Sequence, residues 1–242
     1  MAREVARKEC NLILVSTTSI DLQRFAIGLQ LKHEIQAIAV KLDLSNQEEI
    51  QSFTNSLRDK YEIRALINNI TCDWSLSKNK CISELAKEDF QTRLRGAILI
   101  TRSLLPQMKS HPTSYIQHFI PFPFRKEQFS SDLQHSVAKM YAFTKEIEEK
   151  LKHTGVSVSM VHPAPIKNLI GQTEFPGRLF EEEIRAMATS MIANKALKGM
   201  LRGDRLIIPG FRNKILFYLN RHATSWFRSS EESFDQGLQP SL

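Results

Sequence analysis

Glycine is scarce in this chain: 9 of 242 residues, about 4% against roughly 7% in average usage. None precedes Gly28, which excludes a glycine-rich phosphate loop at the front of the sequence. Long apolar runs are missing too, and nothing approaches the roughly eighteen apolar residues in a row that a membrane span requires. The opening, MAREVARKEC, is charged from its first turn and lacks the apolar centre of a signal peptide, so a cytoplasmic location is expected. Cysteine is sparse. Cys10, Cys72 and Cys81 are an odd number without C-x-x-C spacing, which argues against a disulfide framework or a zinc ribbon and predicts three reduced thiols and no metal site.

What is present is ordinary globular composition. With 42% hydrophobic and 24% charged residues, the chain can bury a full core, and disorder is excluded. The net charge of +7 is scattered. No Lys/Arg run marks a nucleic-acid footprint, so the charge reads as solubility and nucleic acid is not an expected partner.

Short apolar runs alternate with longer helical patterns. Residues 11–16 (NLILVS), 36–42 (QAIAVKL), 65–68 (ALIN), 115–120 (YIQHFI), 157–161 (SVSMV) and 205–208 (RLII) read as strands. Amphipathic stretches at 19–31, 47–60, 87–108, 133–151 and 181–201 read as helices, with Ser45 a plausible N-cap for the second and Gly155 lying before the fifth strand. Strands alternating with crossover helices imply a parallel sheet covered on both faces. Right-handed crossovers make it a doubly wound, Rossmann-like α/β sheet of about six strands. No repeat or linker divides the chain. Residues 1–228 are expected to form one domain, and 229–242 a flexible tail.

Six segments, in order, resemble the short-chain dehydrogenase/reductase family. AREVARKECNLILVS is similar to the end of that family's first helix running into its second strand. LDLSN resembles the segment after the third strand, and ALINNIT the N-N-A-G motif of the fourth. DFQTRLRGAILITRSLLPQM resembles the long helix carrying N-x-x-G, TGVSVSMVHPAP the sixth strand and its terminal P-G, and GDRLIIPGFRNKILFYLNR the tail of members acting on lipid-like or acyl substrates.

The resemblance implies two chemical requirements. Dinucleotide binding needs a strand, a glycine turn and a helix N-terminus receiving the pyrophosphate. The sequence opens inside the helix that would follow that turn, so the first strand and glycine loop are expected to be absent from it. Ser16 and Thr17, at the place of the ribose-reading residue, with Asp43, Asn68 and Asn69, remain as vestigial cofactor contacts. No cofactor is therefore expected for the chain as given, and NAD or NADP only if it is a working enzyme. The family's first strand would lie between 11–16 and 65–68; without it, these two are expected to pair directly.

Proton relay is the second requirement. The family uses a Tyr, a Lys four residues on that faces the same side of the helix, a Ser that holds the substrate oxygen, and an Asn on the preceding helix. Tyr141 and Lys145 have the Tyr-x-x-x-Lys spacing, but family spacing places them beyond the site, as a surface pair. His135 and Lys139 mimic the pair with His for Tyr. Counted from Lys139, however, the family's buried places hold Ala142, Lys145, Glu146, Glu149 and His153, too many charges for a core. Counted from Val137 they hold Met140, Phe143, Thr144, Ile147 and Leu151, a proper apolar stripe. The preferred register therefore puts Leu133 at the Tyr place and Val137 at the Lys place. The Ser falls at Ile120 and the Asn at Arg93. His118 and His162 lie near strand ends and are read as structural, and His111 and His153 as surface residues.

The expected function is a reductase-fold protein with eroded cofactor and catalytic motifs, acting as a non-catalytic binding or oligomer partner. A homodimer through helices 87–108 and 133–151 is the expected assembly. The alternative is an NAD(P)(H)-dependent oxidoreductase working on a carbonyl or hydroxyl of a small lipid-like or acyl substrate. The basic, aromatic stretch 211–228 reads first as a lid or edge cover, and second as an interfacial membrane helix.

Overall fold

The computed structural model describes residues 1–17, 20–70, 84–120, 131–163, 178–211, 214–215 and 217–218, with backbone alone at 20, 84–87, 131–134 and 178–188. The elements run α1 (Ala2–Ala6), β1 (Leu12–Ser16), α2 (Ile20–His33), β2 (Ala37–Lys41), α3 (Gln47–Lys60), β3 (Ala65–Asn69), α4 (Glu84–Lys109), β4 (Ser114–Phe119), α5 (Ser131–Lys150), β5 (Val156–Val161), α6 (Arg178–Arg202) and β6 (Leu206–Ile207). Each expected strand and helix is present within a few residues. Cys72, Cys81 and the 229–242 tail lie outside the described residues, and Cys10 is an exposed free thiol.

All strand pairs are parallel, which is why the strands are short β-branched and apolar runs joined by helices. Alternate residues face opposite helical layers. Ile116 and Val158 point into the large core with Ile50 and Leu57 of α3, Leu104 and Met108 of α4, and Ile147 of α5. Phe119 and Val161 pack on the other face against Ala196 of α6. Ala26 and Leu29 of α2 and Ala6 of α1 cover Ala37 on β2.

Two expectations fail. The six strands form two sheets, β1-β2 and β3-β4-β5-β6, so residues 11–16 do not pair with 65–68. Helices bridge the two sheets on both faces and set the spacing between them: α3 packs on α4, and α1 on both α2 and α6. Glu4 of α1 accepts from Asn194 of α6 at 3.4 Å, and Met1 packs near Ile67 of β3. The second failure concerns handedness. His118 of β4 reaches Thr144 of α5, whereas the neighbouring Gln117 donates to the Ala196 carbonyl of α6. Adjacent strand residues point to opposite faces, so α6 and α5 cover opposite faces and the β5–α6–β6 crossover has the other hand from β4–α5–β5. Right-handed crossovers throughout are therefore excluded.

Local signals account for several boundaries. Asn46, not Ser45, caps α3, its side-chain oxygen accepting from the Glu48 and Glu49 N–H groups at 3.0 and 3.1 Å. The Ser45 hydroxyl turns back to Asp43 instead. Gly155 is required by close approach: a Cβ there would lie 2.2 Å from the Pro112 carbonyl oxygen.

Candidate functional site

In a parallel α/β sheet, chemistry collects at the carboxyl ends of the strands. Here those ends carry Ser16 and Thr17, Asp43, Asn68 and Asn69, Ile120 and His162. The structure places each of them and gives most of them a structural partner.

Asp43 is exposed beyond β2. Its Oδ1 accepts from the Ser45 N–H at 2.8 Å and the Ser45 hydroxyl at 2.7 Å. These two bonds, the hydroxyl first, hold its carboxyl below the ordinary range. Its own N–H donates to Glu49 Oε1 at 3.2 Å, so the turn is built around entry into α3. Asn68 is buried on β3, and its Nδ2 donates to Thr101 Oγ1 at 2.9 Å. The Thr101 hydroxyl donates in turn to the Ala97 carbonyl at 2.7 Å. That chain ties β3 to α4 rather than reaching outward. Asn69 is exposed at the strand end, Thr17 is half-buried, and the Ser16 carbonyl accepts the Leu42 N–H at 3.0 Å.

The proton-relay places are equally specific. Arg93 stands half-buried on α4 with its Nε, itself shielded from water, 2.8 Å from Asp89 Oδ2 in an i, i+4 ion pair. Gly96, three residues on, has a clear packing reason: a Cβ there would meet Leu44 Cβ at 2.9 Å, so the glycine lets α4 close on the segment after β2. Ile120 is buried, its N–H donating to the Val161 carbonyl at 2.9 Å. On α5, Val137, Met140, Phe143, Thr144, Ile147 and, just past its end, Leu151 are all buried. His135, Lys139, Lys145 and Glu149 are exposed. The stripe expected on counting from Val137 is the side that the helix buries, and the Leu133 side chain lies outside the described residues. Tyr141 corrects the expectation of a surface pair: it is buried in the large core, with Lys145 Nζ 5.9 Å from its ring centroid. The phenol ring extends the apolar stripe by one flank.

Sequence reasoning missed the partners of two histidines. Both His118 and His162 are fully buried. His118 Nδ1 lies 2.8 Å from Thr144 Oγ1, and the Thr144 hydroxyl donates to the Met140 carbonyl at 2.7 Å. The hydroxyl proton is therefore spent on Met140, and His118 donates from Nδ1. Burial pushes its pKa down to about 3. His162 donates from Nδ1 to the Ile120 carbonyl at 2.8 Å and stacks on Phe217 at 5.4 Å. Its pKa falls to about 4, burial outweighing the carbonyl bond. Both rings are neutral at pH 7 and serve as structural ties. The signal for the first pair was available: His118 shares its strand face with buried Ile116, and Thr144 lies in the stripe counted from Val137.

Among the described residues, then, no phenol, hydroxyl and ammonium converge at the strand ends, and no group of three metal-ligating side chains exists. Among the described residues, two of the side chains named for cofactor contact are engaged elsewhere. Asn68 is committed inward to Thr101, and Asp43 to its turn. The one glycine at a family motif place, Gly96, is filled by Leu44 rather than open to a ligand.

Comparison with known proteins agrees with this architecture. Residues 1–118 match the model of the short chain dehydrogenase family. A curated relative, retinol dehydrogenase 12 of Bos taurus, is 25% identical over 193 residues, covering 72% of this chain. The match spans 59% of that protein, so the chain covers less than two thirds of the relative's length. Among solved structures, a bulky-bulky ketone specific alcohol dehydrogenase from Comamonas testosteroni superposes with a TM-score of 0.70 at 17% identity, covering 94% of this chain and 87% of that one. A short chain dehydrogenase/reductase from Burkholderia phymatum, solved in complex with NAD, superposes with a TM-score of 0.69 at 15% identity over 100% of this chain and 91% of that one.

Proposed function

We propose that the chain, whose residues 1–118 match the short chain dehydrogenase family model, is a non-catalytic member of that family whose fold serves binding or assembly. Val137 carries the reading. By the register read from the sequence it stands where the family carries its lysine, and it is 2% exposed, packed in the large core. A catalytic ammonium has no place there. Arg93 paired to Asp89 and Ile120 buried at the strand end support the same conclusion from two other elements. The binding partner fitting this reading is a second copy of the chain, docked through α4 and α5, with no nucleic acid and no cofactor.

The alternative reading is an NAD(P)(H)-dependent oxidoreductase on a lipid-like carbonyl or alcohol. It draws on the retinol dehydrogenase relative and on a structural neighbour solved with NAD. Titration of the full chain with NADH and NADPH, together with turnover assays on a retinal and an aryl ketone, separates the two. The non-catalytic reading expects no dissociation constant below about millimolar and no turnover. Micromolar binding with reduction of either carbonyl overturns it.

A further inference from the structure

We propose that the segment beginning at Phe211 is a docking surface for an anionic lipid bilayer. Phe211, Lys214, Ile215, Phe217 and Tyr218 all have helical backbone, and the Lys214 N–H donates to the Gly210 carbonyl at 3.0 Å, a helical i to i−4 bond. At that spacing, Phe211, Ile215 and Tyr218 share one face, with Lys214 at its margin. Phe217 points well away from them.

The two sides have opposite fates. Phe217 is 1% exposed, built into the large core and stacked on His162. Phe211 is 79% exposed, and Ile215 and Tyr218 are 45% exposed each. The segment is thus fastened to the folded body by one aromatic side chain and presents two others, with an isoleucine, to the outside. Exposing that much apolar surface on a short, anchored element is costly in water, and an apolar face with a basic margin is what an interfacial element offers a membrane.

Charge selects the occupant. From 211 to 228 the sequence holds four basic residues, Arg212, Lys214, Arg221 and Arg228, and no acidic one, in a chain of net charge +7. Tyr218 has the amphipathic aromatic ring that settles at the water–lipid boundary. A second copy of the chain would bring the same positive segment against itself, which disfavours self-docking at this face. No helix among the described residues is long and apolar enough to cross a membrane, so the contact lies on the surface rather than through it. The mode is a peripheral one: apolar side chains dip into the headgroup layer, and basic side chains meet the lipid phosphates.

Co-sedimentation of the full chain with vesicles tests this. Vesicles of three parts phosphatidylcholine to one part phosphatidylglycerol should carry the protein down, and pure phosphatidylcholine should hold it about tenfold less well. Raising salt to about 0.5 M should release most of it. The triple variant Phe211→Ser, Ile215→Ser, Tyr218→Ser removes exposed side chains, of which Tyr218 also meets the Phe217 ring edge-on at 5.6 Å. It should melt with wild type and lose about tenfold or more in vesicle affinity. Lys214→Gln should lose about fivefold. Equal sedimentation with both vesicle types, none with either, or undiminished binding by the triple variant overturns the proposal. A triple variant that turns a dimer into a monomer on gel filtration while sedimenting unchanged reassigns the face to self-assembly.

Discussion

His118 of β4 and Thr144 of α5 form a directional pair across the core, with His118 Nδ1 2.8 Å from a hydroxyl already donating to the Met140 carbonyl. With that hydroxyl donating to Met140, the ring proton sits on Nδ1. The same arrangement leaves His118 Nε2 buried without a hydrogen-bond partner among the described residues. A protonated imidazole has no second acceptor there, so the ring stays neutral.

That neutrality makes stability depend on pH. In the unfolded chain each histidine takes up a proton near pH 6.5, whereas folded His118 and His162 resist until about 3 and about 4. Below 6.5 the unfolded state therefore binds more protons, and stability falls as the pH falls. Each ring's contribution steepens to about 1.4 kcal/mol per pH unit once the pH is well below 6.5, so moving from pH 6.5 to pH 5 should cost about 3 kcal/mol for the pair. Urea denaturation at several pH values measures this, and His118→Asn should remove about half of the slope.

Thr144→Val keeps the shape and deletes the acceptor. A buried donor left without a partner costs about 1–3 kcal/mol. The midpoint of urea unfolding should fall accordingly, with the slope of the transition unchanged. A drop confined to a few tenths of a kcal/mol would mean that the histidine finds another acceptor.

Restoring a lysine at the family place should break the fold rather than build a site. Val137→Lys puts an ammonium into the large apolar core, one turn from Met140, at a cost of about 3–5 kcal/mol. Lys139→Ala, on the exposed face of the same helix, should change stability by less than about 0.5 kcal/mol. Thermal melts of the two variants side by side test the register directly.

Two helical glycines should respond in opposite directions. Gly96→Ala drives a Cβ to 2.9 Å from Leu44 and should destabilise by about 1–3 kcal/mol. Gly28→Ala, in α2 with nothing within 4 Å of the new atom, should stabilise by about 0.5–1 kcal/mol through helix propensity. Chemical denaturation of both reports the sign.

Element positions and the phase of α5 were legible from sequence because they rest on local periodicity. Val137, Met140, Phe143, Thr144 and Ile147 recur at helical spacing, and burying one side of a helix requires such a stripe wherever the helix packs. For the candidate site the sequence supplied residue types only: Arg93, Ile120 and Val137, at the places family spacing assigns to a relay, are not the groups that relay uses. What those residues do instead was not legible, because their partners come from distant segments. Asn68 finds Thr101, Arg64 donates to the Thr113 carbonyl at 3.0 Å, and His162 finds Ile120 and Phe217 only once the sheet and its layers exist.

Sequence alone thus determined that this is a layered α/β chain of six parallel strands whose motif order resembles the short-chain dehydrogenase/reductases, since alternation and motif order are properties of neighbouring residues. Tertiary structure decided that the strands divide into two sheets, that α6 crosses on the face opposite α5, that Tyr141 is core and that Phe217 pins an otherwise exposed aromatic face. Each of these depends on which helices meet across the sheet. Helix-on-helix spacing arises from packing between segments far apart in the chain, and no local pattern encodes it.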